Sequence, residues 1–132
     1  MVTMSAKRSN PTLRLRVWIE EDQELYIGIG STLLLRKIDE LGSLKRAAEE
    51  LGMSYRRAWG RLKKTEKRVG TKLVTKTPGQ GQRFGLSDEG RTLMERFTAF
   101  YADVEQYARK RASEVMGEEV LPSHEFGLDD TE

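Results

Sequence analysis

No cysteine occurs in this chain of 132 residues, which rules out disulfides and thiolate metal sites. Histidine is almost as scarce. The single example, His124, sits in an aperiodic stretch, so a histidine metal site or a His-centred catalytic dyad has no second member. No apolar run approaches the ~18 residues that span a bilayer. The opening MVTMSAKRSNP lacks the hydrophobic segment of a secretion signal, and the cytoplasm is the expected setting. Clustered carboxylates are missing as well. An enzyme is therefore not expected, and neither a cofactor nor a metal is called for.

What the chain does have is charge, and its distribution is uneven. Residues 54–85 hold ten Lys or Arg against one acid, Glu66, whereas residues 86–132 hold five against twelve. A basic middle beside an acidic end points to one surface that meets a polyanion. With 37% hydrophobic residues over this length, one modest core is expected. Small chains bury a limited share of their surface, so pairing of two copies would help.

The stretch LRLRVWIE, residues 13–20, places Leu13, Leu15 and Val17 on one side and Arg14 and Arg16 on the other. Period two predicts a strand. Asp22 and Gln23 read as a turn, and ELYIG as the returning strand of a hairpin. In STLLLRKIDELG, Leu34, Ile38 and Leu41 recur at helical spacing, with Ser31 or Thr32 as cap and Gly42 as stop. Ser43 caps LKRAAEEL, and Gly52 ends it. Ser54 opens the next helix after the turn GMS. Two short helices joined by a glycine-containing turn, with the small residues Ala47 and Ala48 at the crossing, form a helix-turn-helix pattern.

On a helical wheel Ala58, Leu62, Thr65 and Val69 cluster within about 60°. Opposite them stand Arg56, Gly60, Lys63 and Lys67, flanked by Arg57 and Lys64, while Tyr55, Trp59 and Glu66 share an edge. Such a helix docks one face on the protein and offers the other to a major groove. Gly60 lowers helix propensity by about 1 kcal/mol relative to Ala. It fits either a close approach of backbone to DNA or a tolerated surface glycine. Residues 72–86, KLVTKTPGQGQRFGL, then read as a β-hairpin wing with Pro78, Gly79 and Gly81 at its turn. PGQGQRFG matches no nucleotide-binding loop and lacks the strand-loop-helix setting.

Ser87 caps a long helix to residue 116. Leu93, Phe97, Phe100 or Tyr101, Val104 and Tyr107 or Ala108 repeat along it every three or four residues. At roughly 45 Å it exceeds what one winged domain covers, so its apolar stripe is assigned to a homodimer. A return of the same stripe onto the first helix is the alternative. Residues 1–11 are expected to be a loose start and residues 117–132 an acidic, disordered tail.

These residues resemble the N-terminal DNA-binding domain of ModE-type, molybdate-responsive transcriptional regulators, which is itself similar to the winged domain of LysR-type regulators. The likeness rests on Gly52-Met53-Ser54-Tyr55, Ala58-Trp59 and Leu62, then a glycine-rich wing leading to Leu86-Ser87 and Gly90. It covers residues 12–116 and is strongest over 42–97. It implies a mainly helical α+β fold: a winged helix-turn-helix with an N-terminal β-hairpin and a long C-terminal dimerisation helix. It implies a recognition helix, 54–69, whose Tyr55 and Arg56 approach the groove and whose Trp59 supports the helix. The expected partner is promoter DNA carrying an inverted repeat.

The candidate DNA contacts are thus Ser54, Tyr55, Arg56, Arg57, Gly60, Arg61, Lys63, Lys64 and Lys67 on the helix, with Lys76, Gln80, Gln82 and Arg83 on the wing. Leu93, Phe97, Phe100, Tyr101, Val104 and Tyr107 are the candidate dimer contacts. The family's molybdate modules are small β-barrels, and nothing after residue 117 reads as one, so molybdate sensing is not expected and no effector is assigned. The competing reading is an adaptor that uses the winged fold for protein contacts, and the basic excess over residues 54–85 argues against it.

Overall fold

The computed structural model describes residues 9–123. His124 and most of the acidic tail lie outside the described residues, as do residues 1–8. The elements run β1 (Thr12–Leu13), β2 (Trp18–Glu21), β3 (Glu24–Gly28), α1 (Ile29–Leu41), α2 (Leu44–Glu50), α3 (Tyr55–Val69), β4 (Val74–Lys76), β5 (Phe84–Leu86), α4 (Asp88–Met116) and β6 (Leu121–Pro122). This is the mainly helical α+β winged helix-turn-helix expected from the pattern.

The hairpin β2–β3 closes on Asp22 and Gln23, with φ of 54° and 67°. Two positive φ values in a two-residue loop are what a tight antiparallel hairpin requires. Its register runs Trp18↔Gly28, Ile19↔Ile27, Glu20↔Leu25 and Glu21↔Glu24, skipping Tyr26. The expected continuous strand over 13–20 is interrupted, because residues 14–17 pair with no strand. Its alternation still sorts the faces: Leu15 and Val17 pack on the core while Arg14 and Arg16 are exposed.

The expected cap of α1 is corrected. The helix begins at Ile29 with Gly28 as N-cap, and Ser31 and Thr32 are buried inside the first turn. The Thr32 hydroxyl donates backwards to the Gly28 carbonyl at 2.8 Å. Their small side chains let α3 approach, and Thr65 Oγ1 donates to Ser31 Oγ at 3.4 Å. The other caps are those read from sequence. Ser43, Ser54 and Ser87 accept from the backbone N–H of Arg46, Arg57 and Gly90, each three residues on.

One core lies under the helix-turn-helix. Leu34, Leu35 and Ile38 of α1 meet Ala47 and Ala48 of α2, Ala58 and Leu62 of α3, and Leu73 before the wing. A second joins Ile27 to Phe97 and Tyr101 of α4. The start of α4 lies so close to Leu73 that a Cβ on Gly90 would stand 2.2 Å from the Leu73 carbonyl oxygen. Only glycine fits that crossing.

The tail is corrected as far as it is described. Val120 is buried, its N–H donates to Ser113 Oγ at 2.9 Å, and Leu121 N–H donates to the Pro11 carbonyl at 2.9 Å. β6 thereby pairs in parallel with β1. The ordered unit therefore reaches past residue 116 and takes in Asn10 and Pro11, with Asn10 Nδ2 donating to Glu119 Oε1 at 3.1 Å.

Candidate nucleic-acid interface

α3 is held at three places, and what remains uncovered defines the site. Its inner face, Ala58, Leu62 and Thr65, is buried against α1 and α2. One flank is tied to the wing through Glu66, whose Oε2 accepts from Leu73 N–H at 2.8 Å and whose Oε1 pairs with Lys63 at 3.2 Å. The single acid in the basic segment is thus a structural link. The other flank meets the hairpin, where Arg68 pairs with Glu24 and, at 4.0 Å, with Glu21.

Between these flanks Arg56, Lys63 and Lys67 are exposed, with Gly60 among them. A Cβ on Gly60 would meet nothing within 4 Å, so packing inside the chain does not require glycine there. Ser54, Tyr55, Arg57 and Lys64 are exposed as well. Arg57, Gly60, Arg61, Lys64 and Lys67 border a cleft of about 830 Å³ facing Glu21, Glu24 and Leu25 of the hairpin.

Trp59 departs from its expected supporting role. It is 48% exposed, and the Lys63 ammonium lies over its ring at 5.8 Å from the centroid. With Tyr55, also exposed, it forms an aromatic edge beside the basic face.

The wing is β4–β5, paired Val74↔Leu86, Thr75↔Gly85 and Lys76↔Phe84. Its turn is closed by Gln80 N–H donating to the Thr77 carbonyl and by Thr77 N–H donating to that of Arg83. Gly79 and Gly81 take φ of 74° and 61°. Lys76, Gln80 and Gln82 are exposed at this end.

Arg83 is corrected. Its Nη2 donates to the carbonyls of Asp39 and Glu40 at 2.9 and 3.1 Å, where α1 leaves carbonyls unpaired and negative. It belongs to the wing's anchorage. Phe84 N–H adds a bond to the Gly42 carbonyl at 2.9 Å.

Sequence reasoning passed over Asp39, the hub of this junction. Its Oδ1 accepts from Leu86 N–H at 3.3 Å, and both its oxygens accept from Arg91 Nη2 at 3.1 Å. Nothing local marks an acid near a helix end as a partner of residues roughly 50 positions away.

The dimer assignments divide. Phe97 and Tyr101 are 3% and 7% exposed inside their own chain, and the Tyr101 hydroxyl donates to the Leu15 carbonyl at 3.1 Å. Leu93 packs on both cores. These three hold α4 to the domain, and Phe97 and Tyr101 are buried within it. Phe100 and Tyr107 are 41% and 68% exposed, and Val104 is half-buried between them.

A capped helix with a buried inner face and a basic outer face, followed by a wing, defines a winged helix-turn-helix DNA-binding domain. Comparisons agree. The family model for bacterial regulatory helix-turn-helix proteins of the lysR family matches residues 31–91. A search of curated proteins gave no significant match.

Among solved structures, the DNA-binding domain of BenM, solved as a complex with the benA site 1 DNA, is 15% identical at a TM-score of 0.55. That match covers 70% of this chain and 100% of that one. The DNA-binding domain of CbnR, in a DNA complex, is 17% identical at 0.53, covering 65% and 99%. Against full-length CbnR, also 17% identical at 0.53, the match covers 66% of this chain and 30% of that one. At such identities these likenesses establish the fold. The chain carries a winged helix-turn-helix domain whose residues 31–91 are similar to the helix-turn-helix of the lysR family. Among the described residues no group of His, Cys, Asp or Glu could hold a metal ion, and no helix is long and apolar enough to cross a membrane.

Proposed function

We propose that the protein binds promoter DNA as a homodimer, with α3 in the major groove and the wing on the backbone or minor groove of each half-site. The carrying observation is the outward face of α3. Arg56, Lys63 and Lys67 stand exposed around Gly60 on a helix whose opposite side is buried. Major-groove width accommodates one helix, and residues of its first turns reach base edges. Ser54, Tyr55, Arg56 and Arg57 occupy that end. Lys76, Gln80 and Gln82 supply wing contacts, and Arg83 is left out because it secures α1. Phe100, Val104 and Tyr107 are the dimer contacts, and the regulator works where its DNA is, in the cytoplasm. The ModE likeness, carried by Gly52-Met53-Ser54-Tyr55 and Ala58-Trp59, is the finer family reading. It assigns no effector.

Phosphate neutralisation releases counterions, so affinity should fall steeply with salt. A dimer covering about eight phosphates gives a log–log slope near −7. Titration of promoter fragments and random duplex at several salt concentrations measures it. Absence of binding to either duplex at about 50 mM salt rules this function out.

A further inference from the structure

The wing is fastened by both of its strands, and the two attachments act differently. Glu66 of α3 accepts from Leu73 N–H at 2.8 Å and fixes where β4 starts. β5 is held along its outer edge by the C-terminal end of α1. N–H groups two residues apart face the same edge of a strand. Here those of Phe84 and Leu86 donate to the Gly42 carbonyl at 2.9 Å and to Asp39 Oδ1 at 3.3 Å. The carboxylate thus stands where the carbonyl of a third strand would stand. It lies close against β5, since a Cβ on Gly85 would be 3.4 Å from Asp39 Oδ1. Near the start of α4, Arg91 Nη2 donates to both Asp39 oxygens at 3.1 Å and holds the carboxylate in place.

We propose that Asp39 is a positioning residue for DNA binding: it aims the wing, and with it Lys76, at the duplex without touching DNA itself. The proposal rests on the function stated above. Lys76 pairs across from Phe84, so the wing's exposed cation sits opposite a residue that α1 holds. The charge of Asp39 argues the other way. A carboxylate on a protein that binds a polyanion weakens association, so deleting the charge should tighten binding. Deleting the acceptor should release β5 and weaken binding. The two effects have opposite signs, and two variants separate them.

Asp39→Asn removes the charge and keeps an oxygen for Leu86 N–H, whereas Asp39→Ala removes both. In titrations with operator and scrambled duplex, Asp39→Asn should bind as tightly as the wild type or tighter. Asp39→Ala should bind both duplexes about fivefold more weakly per half-site, the upper end for a solvent-facing ion pair. Its salt slope should fall by about 1 per protomer. In the Lys76→Ala background the Asp39→Ala loss should shrink to about twofold or less, because residues that act through one contact are not additive. A general loss of stability would instead add to Lys76→Ala in full. Equal affinities for Asp39→Ala and Asp39→Asn, or a loss undiminished by Lys76→Ala, overturn the proposal. Should circular dichroism show that Asp39→Ala does not fold, Arg91→Ala enters the same cycle under the same expectation.

Amide hydrogen exchange on the DNA-free protein reads the anchorage by itself. The Leu86 amide should exchange faster in Asp39→Ala than in Asp39→Asn. That difference without DNA binding by any form would refute the regulator reading and leave the anchorage standing. DNA binding by the wild type with equal losses in both variants would do the reverse.

Discussion

Arg56 and Lys76 are both exposed and both positive, yet the proposed docking gives them different positions relative to the bases. Arg56 belongs to the opening turn of α3, two residues after the Ser54 cap. A guanidinium there presents two parallel donors to a guanine edge, an arrangement that discriminates by roughly 1–3 kcal/mol. Lys76 ends β4 in the wing, where an ammonium meets phosphate as a point charge and carries no sequence information. Arg56→Ala should therefore weaken binding to the operator about 10- to 100-fold while changing binding to scrambled duplex much less. Lys76→Ala should lower both alike and reduce the salt slope by about 1 per protomer. Parallel titrations on the two duplexes separate the cases, and equal losses for Arg56→Ala would deny it a base-reading role. Lys63, although on the same face as Arg56, is drawn to Glu66 and lies over Trp59. It is correspondingly less suited to reading bases.

The wing depends on contacts that begin before its first strand. Glu66 accepts from Leu73 N–H, and Leu73 is fully buried. Removing the carboxylate leaves that donor without its acceptor, a loss of about 1–3 kcal/mol for a buried group. Glu66→Ala should lower the urea midpoint accordingly, whereas Glu66→Gln keeps an acceptor and should recover at least half of the loss. Equal midpoints for the two variants would mean that the hydrogen bond contributes nothing. The elements differ in how far they could be read from the chain. Ser43, Ser54 and Ser87 were legible because a cap and its N–H partner lie three residues apart. The start of α1 was not, because Ser31 and Thr32 imitate a cap while the backbone actually turns at Gly28. Arg83 looked like a phosphate donor because it lies in a basic loop. Its partners, Asp39 and Glu40, are more than forty residues away, beyond the reach of any local pattern. The β1–β6 pairing left no periodicity to read, being only two residues long on each side.

For the whole molecule, the decisive feature is that α4 carries exposed apolar side chains along one stripe. Its 29 residues extend about 44 Å. The first turns lie on α1 and Leu73, and Phe97 and Tyr101 close the second core. Beside them and further along, Phe100, Val104 and Tyr107 fall at i, i+4 and i+7, and Val115 continues the same stripe past Arg111. Phe100, Tyr107 and Val115 are exposed. Fully burying an exposed apolar side chain contributes about 1.5–3 kcal/mol, and each of these, already partly covered, contributes a fraction of that. A two-fold axis duplicates each contact, which is how closed homodimers bury a stripe of this kind. Sedimentation equilibrium at low micromolar concentration should give twice the chain mass of 15.1 kDa, and Phe100→Glu with Tyr107→Glu should give the monomer with its helix content intact. A wild-type protein that sediments as a monomer removes the dimer. In the proposed dimer the same axis sets the DNA geometry, with two α3 helices reading half-sites about 34–36 Å apart, one turn of duplex. Inserting about 5 base pairs between half-sites rotates one of them by half a turn. Affinity should then drop to nearly that of a single half-site, and the double variant, already monomeric, should not register the insertion at all.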